Sequence, residues 1–523
     1  MVYNVYKVIG GDFIKIATSA MIKDIDDFAE NKLYVPITLL MERSGDAIAN
    51  AVRSIAPIGA RIMLLCGCGN NGGDGYAAAL KLMNEYKLVI YDVFEKGQKS
   101  KAGIYFRAEC IKNKIKIIYG IPSRQKISRT TDVVVDAIFG TGLVGDVPKE
   151  ISDLSNAINR QEHVKVVAAD IPIGVSADDG SVCDFALRAD ITVALSFPKV
   201  AMFSYPAKEY VGRVVIDSLG LDEKILEKKF SFKDHLVDFS LASSLLPKRA
   251  DNSNKGSFGK ALLIVGSKDY MGASALALES ALRGGAGYVT FLGNDGLCDF
   301  LLTKFPEALY KRIPITDIDN VLKASESQNA ILIGSGSGCT LDLFELIAAF
   351  LQISGAPLII DADGINAISR YGSAEIFKAS KREVILTPHP LEFSRLSGIS
   401  IEDISANRYS VAKSFAERYG VTLLLKGAAT IVTNGNTVFI NGSGSSALAK
   451  AGSGDVLAGL LVSILAYKKS CVESAALAAY IHGRCGDVLS GELSSYGVTP
   501  SDVAKMPSKI MAELERGVND GIL

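Results

Sequence analysis

Residues 61–86 read RIMLLCGCGNNGGDGYAAALKLMNEY, an apolar run followed by a glycine-rich turn and a helical pattern. The run RIMLLC is typical of a buried strand, and YAAALKLMNEY is typical of a helix. Residues 39–55, which precede this stretch, have the pattern of an amphipathic helix. Further apolar runs follow up to residue 218: KLVIYDVF, IKIIYG, DVVVDAIFG, VKVVAAD, ITVALSF and GRVVIDS. Strands that alternate with helices predict a doubly wound parallel sheet.

A second set of apolar runs occupies the other half of the chain. It comprises KALLIVGS, YVTFLG, AILIGSG, PLIIDAD, VILTPHP and TLLLKG, followed by TIVTNG and NTVFING. The last two predict a hairpin, because Asn-Gly tolerates the positive φ of a type I′ turn. Residues 221–245 are charged and lack this rhythm. We therefore expect two α/β domains, at residues 1–220 and 246–523, joined by a linker at 221–245.

The composition excludes several classes of protein. The 523 residues include 56 Lys+Arg and 57 Asp+Glu, so no overall field attracts nucleic acid. The eight cysteines are scattered and lack the spacing of a common zinc site, which favours reduced thiols. The longest strongly apolar stretch, residues 456–467, is shorter than a membrane span. We expect a cytoplasmic protein with no nucleic-acid or membrane partner.

The glycine-rich turn at residues 67–75 has two interpretations. It satisfies the motif GxGxxG at Gly67, Gly69 and Gly72. With Asp92 twenty residues later, the motif predicts a Rossmann dinucleotide site. The alternative is a tight turn whose glycines only permit close packing. Neither interpretation explains the polar residues among the glycines, which are Asn70, Asn71 and Asp74.

Two further carboxylates, Asp136 and Asp170, follow other predicted strands. Because parallel strands end at one edge of a sheet, these groups and Asn71 are expected to converge there. They would suit a cation bound by oxygen, or an acid/base pair beside an anion. Taken singly, each aspartate could simply cap a helix.

The strings LMERSG, GNNGGDG, DAIFGTGL and DIP together resemble the NAD(P)H-hydrate epimerase family, also called the YjeF N-terminal domain. The resemblance covers residues 1–220 and implies a Rossmann-like domain with Asp170 as the acid/base. It implies that the hydrated nucleotide is bound by Asn70, Asn71, Gly72, Gly73, Asp74, Gly140, Thr141, Gly142, Leu143, Val144, Gly145, Asp146 and Asp170.

The same resemblance implies a potassium ion at Asn71, Asp136 and position 173. The usual DIPSG reads DIPIG here, so at Ile173 only a backbone carbonyl could serve. Lys199 also matches a position of the family, but we expect a strand-end lysine to be solvated.

In the second half, the stretch NGSGSSALAKAGSGDVLAGLLVSILAY places Gly452, Ser453, Gly454 and Asp455 directly before an apolar helix. Glycines at a helix N-terminus expose N–H groups to an anion. A carboxylate beside a bound phosphate suits proton abstraction from a hydroxyl that attacks phosphorus. The alternative is that Asp455 only caps the helix.

Residues 245–515 resemble the ADP- or ATP-dependent NAD(P)H-hydrate dehydratase family, which is ribokinase-like. The resemblance rests on KGSFGKALLIVGS, YMGASALALESALRGGAGYVT, GSGSG, IIDADGIN, LTPHPLE, LLKGAAT, AGSGD and YIHG. It implies substrate contacts at Ala273, Gly336, Gly338, His389 and Asp455, with Asp455 catalytic. It implies nucleotide contacts at Lys426, Gly427, Ala428, Ala429, Thr430, Ser445, Ser446, Ala447, Leu448, Ala449, Lys450, Ala451, Gly452, Ser453 and Gly454.

Four motifs depart from the second family's pattern. GPGLG reads GSGSG, HPGE reads HPLE, HKG reads NKG and GGSGD reads AGSGD. Leu391 could narrow the pocket or shift His389, and Ala451 could restrict a turn that needs positive φ. Of the histidines, His389 could equally be structural, whereas His482 is expected in the core.

Together the two resemblances imply repair of hydrated NADH and NADPH. The first domain would epimerise the hydrates, and the second would dehydrate the S epimer with ADP and Mg²⁺. We expect the ligands NADHX, NADPHX and ADP, and a homo-oligomer. Two rival interpretations are a kinase of a small metabolite with an accessory Rossmann-like domain, and a non-catalytic nucleotide sensor.

Overall fold

The computed structural model describes residues 5–8, 13–94, 100–141, 147–468 and 470–517. The chain divides into two compact units, of which residues 15–232 form the main part of the first and residues 233–517 the main part of the second. Both are α/β, as the alternating apolar runs predict. Among the described residues, no helix is both long and apolar enough to span a bilayer.

The N-terminal unit is built on a parallel sheet. The strands of this unit are β1 Val5–Val8, β2 Lys15–Ile16, β3 Arg61–Cys66, β4 Lys87–Asp92, β5 Ile117–Tyr119, β6 Val133–Ala137, β7 Lys165–Ala169, β8 Ile191–Leu195 and β9 Arg213–Asp217. Eight of them form one sheet in the order β1-β9-β8-β7-β6-β3-β4-β5, with every pair parallel. The order reverses between β6 and β3, which is the switch point where such sheets bind ligands.

Helices cover both faces of this sheet, and they are α1 Ser19–Asn31, α2 Ile37–Arg53, α3 Asn70–Leu82, α4 Lys101–Lys112, α5 Arg124–Thr130, α6 Lys149–Asn159 and α7 Glu223–Lys229. The helix expected at residues 39–55 is α2. Two apolar clusters lie against the sheet, one around Ile48, Leu64 and Val135 and the other around Met63, Val134 and Ile173. The two clusters take alternate residues of β3 and β6, because successive side chains of a strand point to opposite faces.

The C-terminal unit contains a longer sheet. Its strands are β10 Asp234–Val237, β11 Lys260–Ile264, β12 Tyr288–Gly293, β13 Leu309–Arg312, β14 Ala330–Ile333, β15 Leu358–Ile360, β16 Val384–Leu386, β17 Thr422–Leu425, β18 Ile431–Thr433 and β19 Val438–Asn441. They lie in the order β13-β12-β11-β14-β15-β16-β17-β18-β19-β10. The pairs β17–β18 and β18–β19 are antiparallel, and the others are parallel.

The helices of this unit are α8 Phe239–Leu245, α9 Met271–Arg283, α10 Asp295–Leu302, α11 Ile318–Ser325, α12 Leu341–Gln352, α13 Asp363–Tyr371, α14 Pro390–Ser397, α15 Ile401–Ala406, α16 Arg408–Tyr419, α17 Ser453–Lys468, α18 Cys471–Gly497, α19 Pro500–Lys505 and α20 Pro507–Arg516. Short 3₁₀ helices occur in the chain at Val200–Met202, Ala207–Glu209, Lys255–Phe258, Ala374–Ala379 and Ser446–Leu448. Helix α17 is buried along most of its length, so it belongs to the core and not to the surface.

Four strands lie where the sequence indicates none, namely β1, β2, β10 and β13. Strand β13 reads LYKR at an edge of its sheet, where backbone pairing rather than apolar burial defines a strand. Strand β10 lies in the stretch expected to be a linker, residues 221–245, which also contains α7 and α8. The two units divide within this stretch, between residues 232 and 233, and the stretch is structured because Leu226, Leu236 and Leu241 are buried among its charged residues.

The predicted hairpin is β18–β19, but its turn differs from the expected type I′. Thr433 pairs with Val438, so the loop has four residues. Only Gly435 in this loop has positive φ, at +87°. The Asn434 side chain instead accepts hydrogen bonds from the amides of Asn436 and Thr437. Asparagine therefore stabilises the turn through its side chain and not through a left-handed backbone.

Candidate active sites

The glycine-rich turn of the N-terminal unit connects β3 to α3 at the switch point of the sheet. A Cβ atom on Gly67 would lie 2.0 Å from the carbonyl oxygen of Ile138, and one on Gly72 would lie 2.1 Å from the Gly67 carbonyl oxygen. These glycines therefore permit close packing of the turn against the loop after β6. Asp92 is fully buried, and its carboxylate accepts a 3.0 Å hydrogen bond from Nε of Arg107. That ion pair argues against the ribose contact of a dinucleotide-binding Rossmann site.

Asp170 lies directly after β7 and forms an ion pair with Lys199. Lys199 is completely buried and also donates to the Leu195 carbonyl at 3.3 Å. The expectation of a solvated lysine was wrong, because the carboxylate and the carbonyl replace water around the ammonium group. Asp170 has a φ of +67°, a strained value for a residue with a side chain.

The other carboxylate oxygen of Asp170 points into the loops of the site. A Cβ atom on Gly140 would lie 3.4 Å from Asp170 Oδ2 and 3.5 Å from the Asn71 Cβ. Gly140 and Thr141 are half-buried at the end of the β6 loop. The remaining predicted contacts in this loop, Gly142, Leu143, Val144, Gly145 and Asp146, lie outside the described residues.

Two further carboxylates accompany this ion pair. Burial, together with the charge of Asp170, raises the pKa of Asp74 well above its ordinary range. Burial also raises the pKa of Asp26, in α1, to about 6, against the opposing charge of Lys199. Asp26 carries no sequence signal, because it is one of several acidic residues on an amphipathic helix. The site therefore combines one buried ammonium group with carboxyl groups of different proton affinity.

Asn71 and Asp136 lie at the carboxyl edges of the neighbouring strands β3 and β6. Asn71 Nδ2 donates to the Phe139 carbonyl at 2.7 Å, and its Oδ1 is buried with no hydrogen-bond partner in the described part of the chain. Asp136 is fully buried and accepts the amides of Ile138 at 3.2 Å and Ile173 at 2.9 Å. Burial outweighs these hydrogen bonds and raises the pKa of Asp136 to about 7. Asp136 is therefore held by the amides of two loops and not by those of a helix N-terminus.

Ile173 contributes to this site through its backbone. Its side chain is buried in the apolar cluster that contains Met63 and Leu65. Its carbonyl already accepts the Leu187 amide at 2.9 Å, and its amide holds Asp136. The geometry thus favours Ile173 as a support of Asp136 over Ile173 as a ligand of a cation.

In the C-terminal unit, the loops after β14, β15, β16 and β17 lie side by side, because these parallel strands are neighbours in the sheet. Asp361 is the centre of the hydrogen bonds among them. Its carboxylate accepts from Ser335 Oγ at 2.7 Å, Thr387 Oγ1 at 2.7 Å and Lys426 Nζ at 2.9 Å. The sequence string IIDADGIN contains Asp361, but nothing in the string indicates this role.

Lys426 is held against the glycine turn that precedes α17. A Cβ atom on Gly454 would lie 3.2 Å from Lys426 Nζ. Burial alone would lower the pKa of Lys426, but the charges of Asp361 and Glu392 raise it overall. Lys426 is therefore a fixed positive charge beside the turn.

Asp455 lies in the first turn of α17 and is half-buried. Burial raises its pKa to about 7, and the charge of Asp361 adds to this rise while Lys426 opposes it. A carboxylate with a pKa near neutrality can accept a proton and also release it at physiological pH.

The turn itself is fixed by a buried histidine. His482 Nε2 lies 3.1 Å from Ser453 Oγ, and burial lowers the pKa of His482 to about 4. The histidine is in the core, as predicted, and stays neutral. Gly452 has a φ of +96°, whereas Ala451 is not in the left-handed region, so the restriction expected from Ala451 does not arise.

The predicted substrate residues of this unit form a second group. A Cβ atom on Gly336 would lie 2.6 Å from the Ala273 Cβ, which places the β14 loop against α9. The Gly338 amide donates to Asp363 Oδ2 at 2.8 Å. Both glycines have positive φ, at +61° and +81°.

His389 is the N-cap of α14, and its Nδ1 accepts the amides of Leu391 and Glu392. Glu392 in turn accepts the His389 amide at 2.9 Å and lies 3.2 Å from its Nε2. Leu391 is exposed, with 42% of its surface accessible. Its side chain is exposed while its amide holds the ring of His389, which argues against a pocket narrowed by Leu391 and against a shifted His389.

The predicted nucleotide residues lie in two segments after β17 and β19. In the first segment, Thr430 Oγ1 donates to the Gly427 carbonyl at 3.0 Å, Ala428 is exposed and Ala429 has a φ of +53°. The second segment contains the short helix Ser446–Leu448, followed by Ala449 and by Lys450, whose Nζ donates to the Tyr496 carbonyl at 2.6 Å. Ser445 Oγ is buried with no hydrogen-bond partner in the residues that the structure describes. The segments meet where Lys426 approaches Gly454.

Each unit thus carries a glycine-rich turn, buried carboxyl groups and one ion-paired lysine at the carboxyl edge of its sheet. Such a set can bind a phosphorylated ligand and transfer a proton. The fold and the two sites define an α/β enzyme with two active sites.

Comparison with known proteins specifies the family. Residues 38–201 match the family described as YjeF-related protein N-terminus, and residues 261–509 match NAD(P)H-hydrate dehydratase. The bifunctional NAD(P)H-hydrate repair enzyme of Thermofilum pendens is 31% identical over 93% of this chain and 94% of its own length. The bifunctional NAD(P)H-hydrate repair enzyme of Escherichia coli is 30% identical over 92% of this chain and 91% of its own length. The chain belongs to the family of bifunctional NAD(P)H-hydrate repair enzymes.

A solved structure is similar to part of the chain. It is the ADP/ATP-dependent NAD(P)H-hydrate dehydratase of Bacillus subtilis, co-crystallised with ATP and Mg²⁺. It is 27% identical in sequence, and the match covers 53% of this chain and 98% of the solved chain, with a TM-score of 0.49.

Proposed function

We propose that the C-terminal site dehydrates the S hydrates of NADH and NADPH with ADP. The juxtaposition of Lys426, the turn at Gly454 and Asp455 carries this proposal. Lys426 and the amides at the start of α17 would hold the phosphates, while Asp455 faces a hydroxyl that must lose its proton. The pKa of Asp455, near 7, supports its role as the base.

The chemistry proceeds in two steps. The oxygen of the substrate hydroxyl attacks the terminal phosphorus of ADP as Asp455 takes its proton, and the bond to the departing AMP breaks. Phosphate then leaves the hydrated carbon, and a proton leaves its neighbour, which restores the ring double bond. Phosphate is a better leaving group than hydroxide, so a kinase-like fold suits a dehydratase.

Mg²⁺ would accompany the nucleotide. The described residues contain no group of three side chains that could hold a metal ion alone, so the phosphates would supply most of the ligands, with one or two carboxylates of the site beside them. Asp363 would hold the ion together with the phosphates. When bound, Mg²⁺ would neutralise charge on the transferred phosphoryl group.

The N-terminal site would epimerise the R and S hydrates. Asp170, strained at positive φ and paired with the buried Lys199, is the group proposed to move the proton. The turn Asn70–Asp74 and the loop that begins at Gly140 would hold the nucleotide. Asp74 would lie beside it, with a pKa raised by burial and by the charge of Asp170.

Potassium would bind at Asn71 and Asp136. The observation that supports this is the buried Asn71 Oδ1, which lacks a partner among the described residues and lies at the same sheet edge as the buried carboxylate of Asp136. Potassium, when bound, would supply positive charge to the carboxyl edge. The Ile173 carbonyl, already engaged by Leu187, is a weaker candidate.

Purified protein tests the function directly. An epimeric mixture of hydrated NADPH, supplied with ADP and Mg²⁺, should return completely to NADPH, read from the absorbance of the reduced nicotinamide. Replacing K⁺ by Na⁺ should slow recovery of the R epimer only. A stable phosphorylated product would favour the small-metabolite kinase, and binding without turnover would favour the sensor.

A further inference from the structure

A cavity of about 170 Å³ opens at the carboxyl ends of β11 and β12 in the C-terminal unit. It lies between the loop after β11, the loop after β12 and the residues that follow β13. None of the predicted substrate or nucleotide residues lines this cavity.

The lining has the character of a nucleoside pocket. Leu292, Leu297, Pro314 and Ile315 supply apolar wall, and Ser267, Asn294 and Thr316 supply polar atoms. Flat heteroaromatic rings bind in pockets that are mainly apolar with a few polar groups. Lys268 is the only charged residue of the lining, so the cavity does not repel phosphate.

The cavity adjoins the proposed substrate loop. Ser337 lines it, and this serine lies between Gly336 and Gly338. Gly336 packs on Ala273 of α9, and both positions are predicted contacts of the substrate. A dinucleotide whose reactive ring lies at this loop can extend its other half into the cavity.

The strand order separates the cavity from the proposed nucleotide segments. Strands β14, β15 and β16 lie between β11 and β17, whose end carries Lys426. With ~4.8 Å between neighbouring strands, β11 and β17 are about 19 Å apart. With its phosphates at Lys426, ADP would therefore bind with its adenine on the β17 side of the sheet, away from the cavity.

We propose that this cavity binds the adenosine half of the hydrated dinucleotide. The proposal rests on the proposed function. It assigns ADP and the dinucleotide to opposite flanks of the sheet edge, with the glycine loop after β14 between them.

Substitutions in the cavity wall test the assignment in the full chain. Ile315→Ala removes part of the apolar wall at a half-buried position, and Thr316→Trp fills the opening from an exposed one. The matched control is Ile401→Ala, an exposed isoleucine on α15 outside the cavity. Two substrates are compared, the hydrate of NADH and the hydrate of reduced nicotinamide mononucleotide, which lacks adenosine.

Both cavity variants should raise KM for the NADH hydrate about tenfold, because a well-packed apolar group is lost or blocked. They should leave KM for ADP and the kinetics of the mononucleotide hydrate unchanged. A raised KM for ADP would place the purine of ADP in the cavity instead. Equal effects on both hydrates, or no effect, would also overturn the assignment.

A binding measurement separates this proposal from the proposed function. NADH itself, the product, is titrated against the wild type and both variants by its fluorescence. The cavity variants should weaken its binding about tenfold even if the wild type turns over neither hydrate. Unchanged binding of NADH would contradict the assignment, whereas absent turnover with weakened binding would contradict only the function.

Discussion

Asp455 is a carboxylate whose surroundings matter as much as its position in the sequence. Glycine, serine and aspartate at a helix start can be read from the sequence as an anion site. The pKa near 7 cannot, because it arises from burial and from Asp361, which is 94 residues away along the chain. Short motifs indicate the type of chemistry, and the folded neighbours adjust its pH range.

The pH dependence of the dehydratase tests this adjustment. A base must be ionised, so kcat/KM for ADP should fall as the pH drops through about 7 and should level off above it. Lys426, whose pKa is raised, should stay charged and add no alkaline limb near neutrality. The measurement is a pH profile at saturating hydrate. An acid limb near pH 4, the ordinary range of a carboxyl group, would contradict the assigned base.

Asp361 should act as a positioning residue through Lys426. In Asp361→Asn the ammonium group loses its buried counter-charge, so kcat should fall about 100-fold, as when one electrostatic donor is removed from a site. The acid limb should also move below pH 7, because one charge that raises the pKa of Asp455 is gone. The matched control is Asp234→Asn, another buried carboxylate of this unit, which accepts from Tyr409. A loss of stability without a moved acid limb would indicate a merely structural Asp361.

The environment of Lys199 cannot be predicted from that residue and its sequence neighbours alone. A lysine at a strand end is usually solvated, and its burial follows only when Asp170 is brought beside it by the loop after β7. Asp26 is a similar case, since α1 has several acidic residues and the sequence does not indicate which one faces inward. Both residues belong to the site through tertiary structure alone.

At the scale of elements, the buried strands could be predicted from the sequence, because each is an apolar run bounded by polar residues. The strands β1 and β13 at sheet edges could not be, since pairing with one neighbour defines them. The loops that bear the sites were predicted where glycines and carboxylates are dense. The contacts of Ile173 could not be predicted, because its side chain packs in the core and its amide donates to Asp136, which lies 37 residues earlier in the chain.

Ile173 should therefore matter for stability more than for ligand binding. Ile173→Ser should lower the free energy of unfolding of the N-terminal unit by about 3 kcal/mol, since it leaves a cavity and buries a hydroxyl. Urea titration followed by circular dichroism measures this. Ile121→Ser, at an exposed isoleucine, should change it by less than about 0.5 kcal/mol. Equal stability of the Ile173 variant and the wild type would show that the side chain is not part of the core.

At the scale of the whole molecule, each unit has its own sheet, its own apolar core and its own acidic site. The two activities of the family are complementary, because the dehydratase acts on one epimer and the epimerase converts the other into it. One chain can therefore repair the complete mixture of hydrates. Sequence similarity over nearly the full length supports this for the chain as a unit, and the geometry supports the residues proposed for each site.

The most direct test of the account compares two isosteric variants on the epimeric hydrate of NADPH with ADP and Mg²⁺, against a buffer control. Asp170→Asn should recover only the S epimer, and Asp455→Asn should recover neither. A mixture of the two variants should recover both, because each supplies the site that the other lacks. Full recovery by Asp170→Asn at the wild-type rate, or continued dehydration by Asp455→Asn, would contradict the assignment of the two sites.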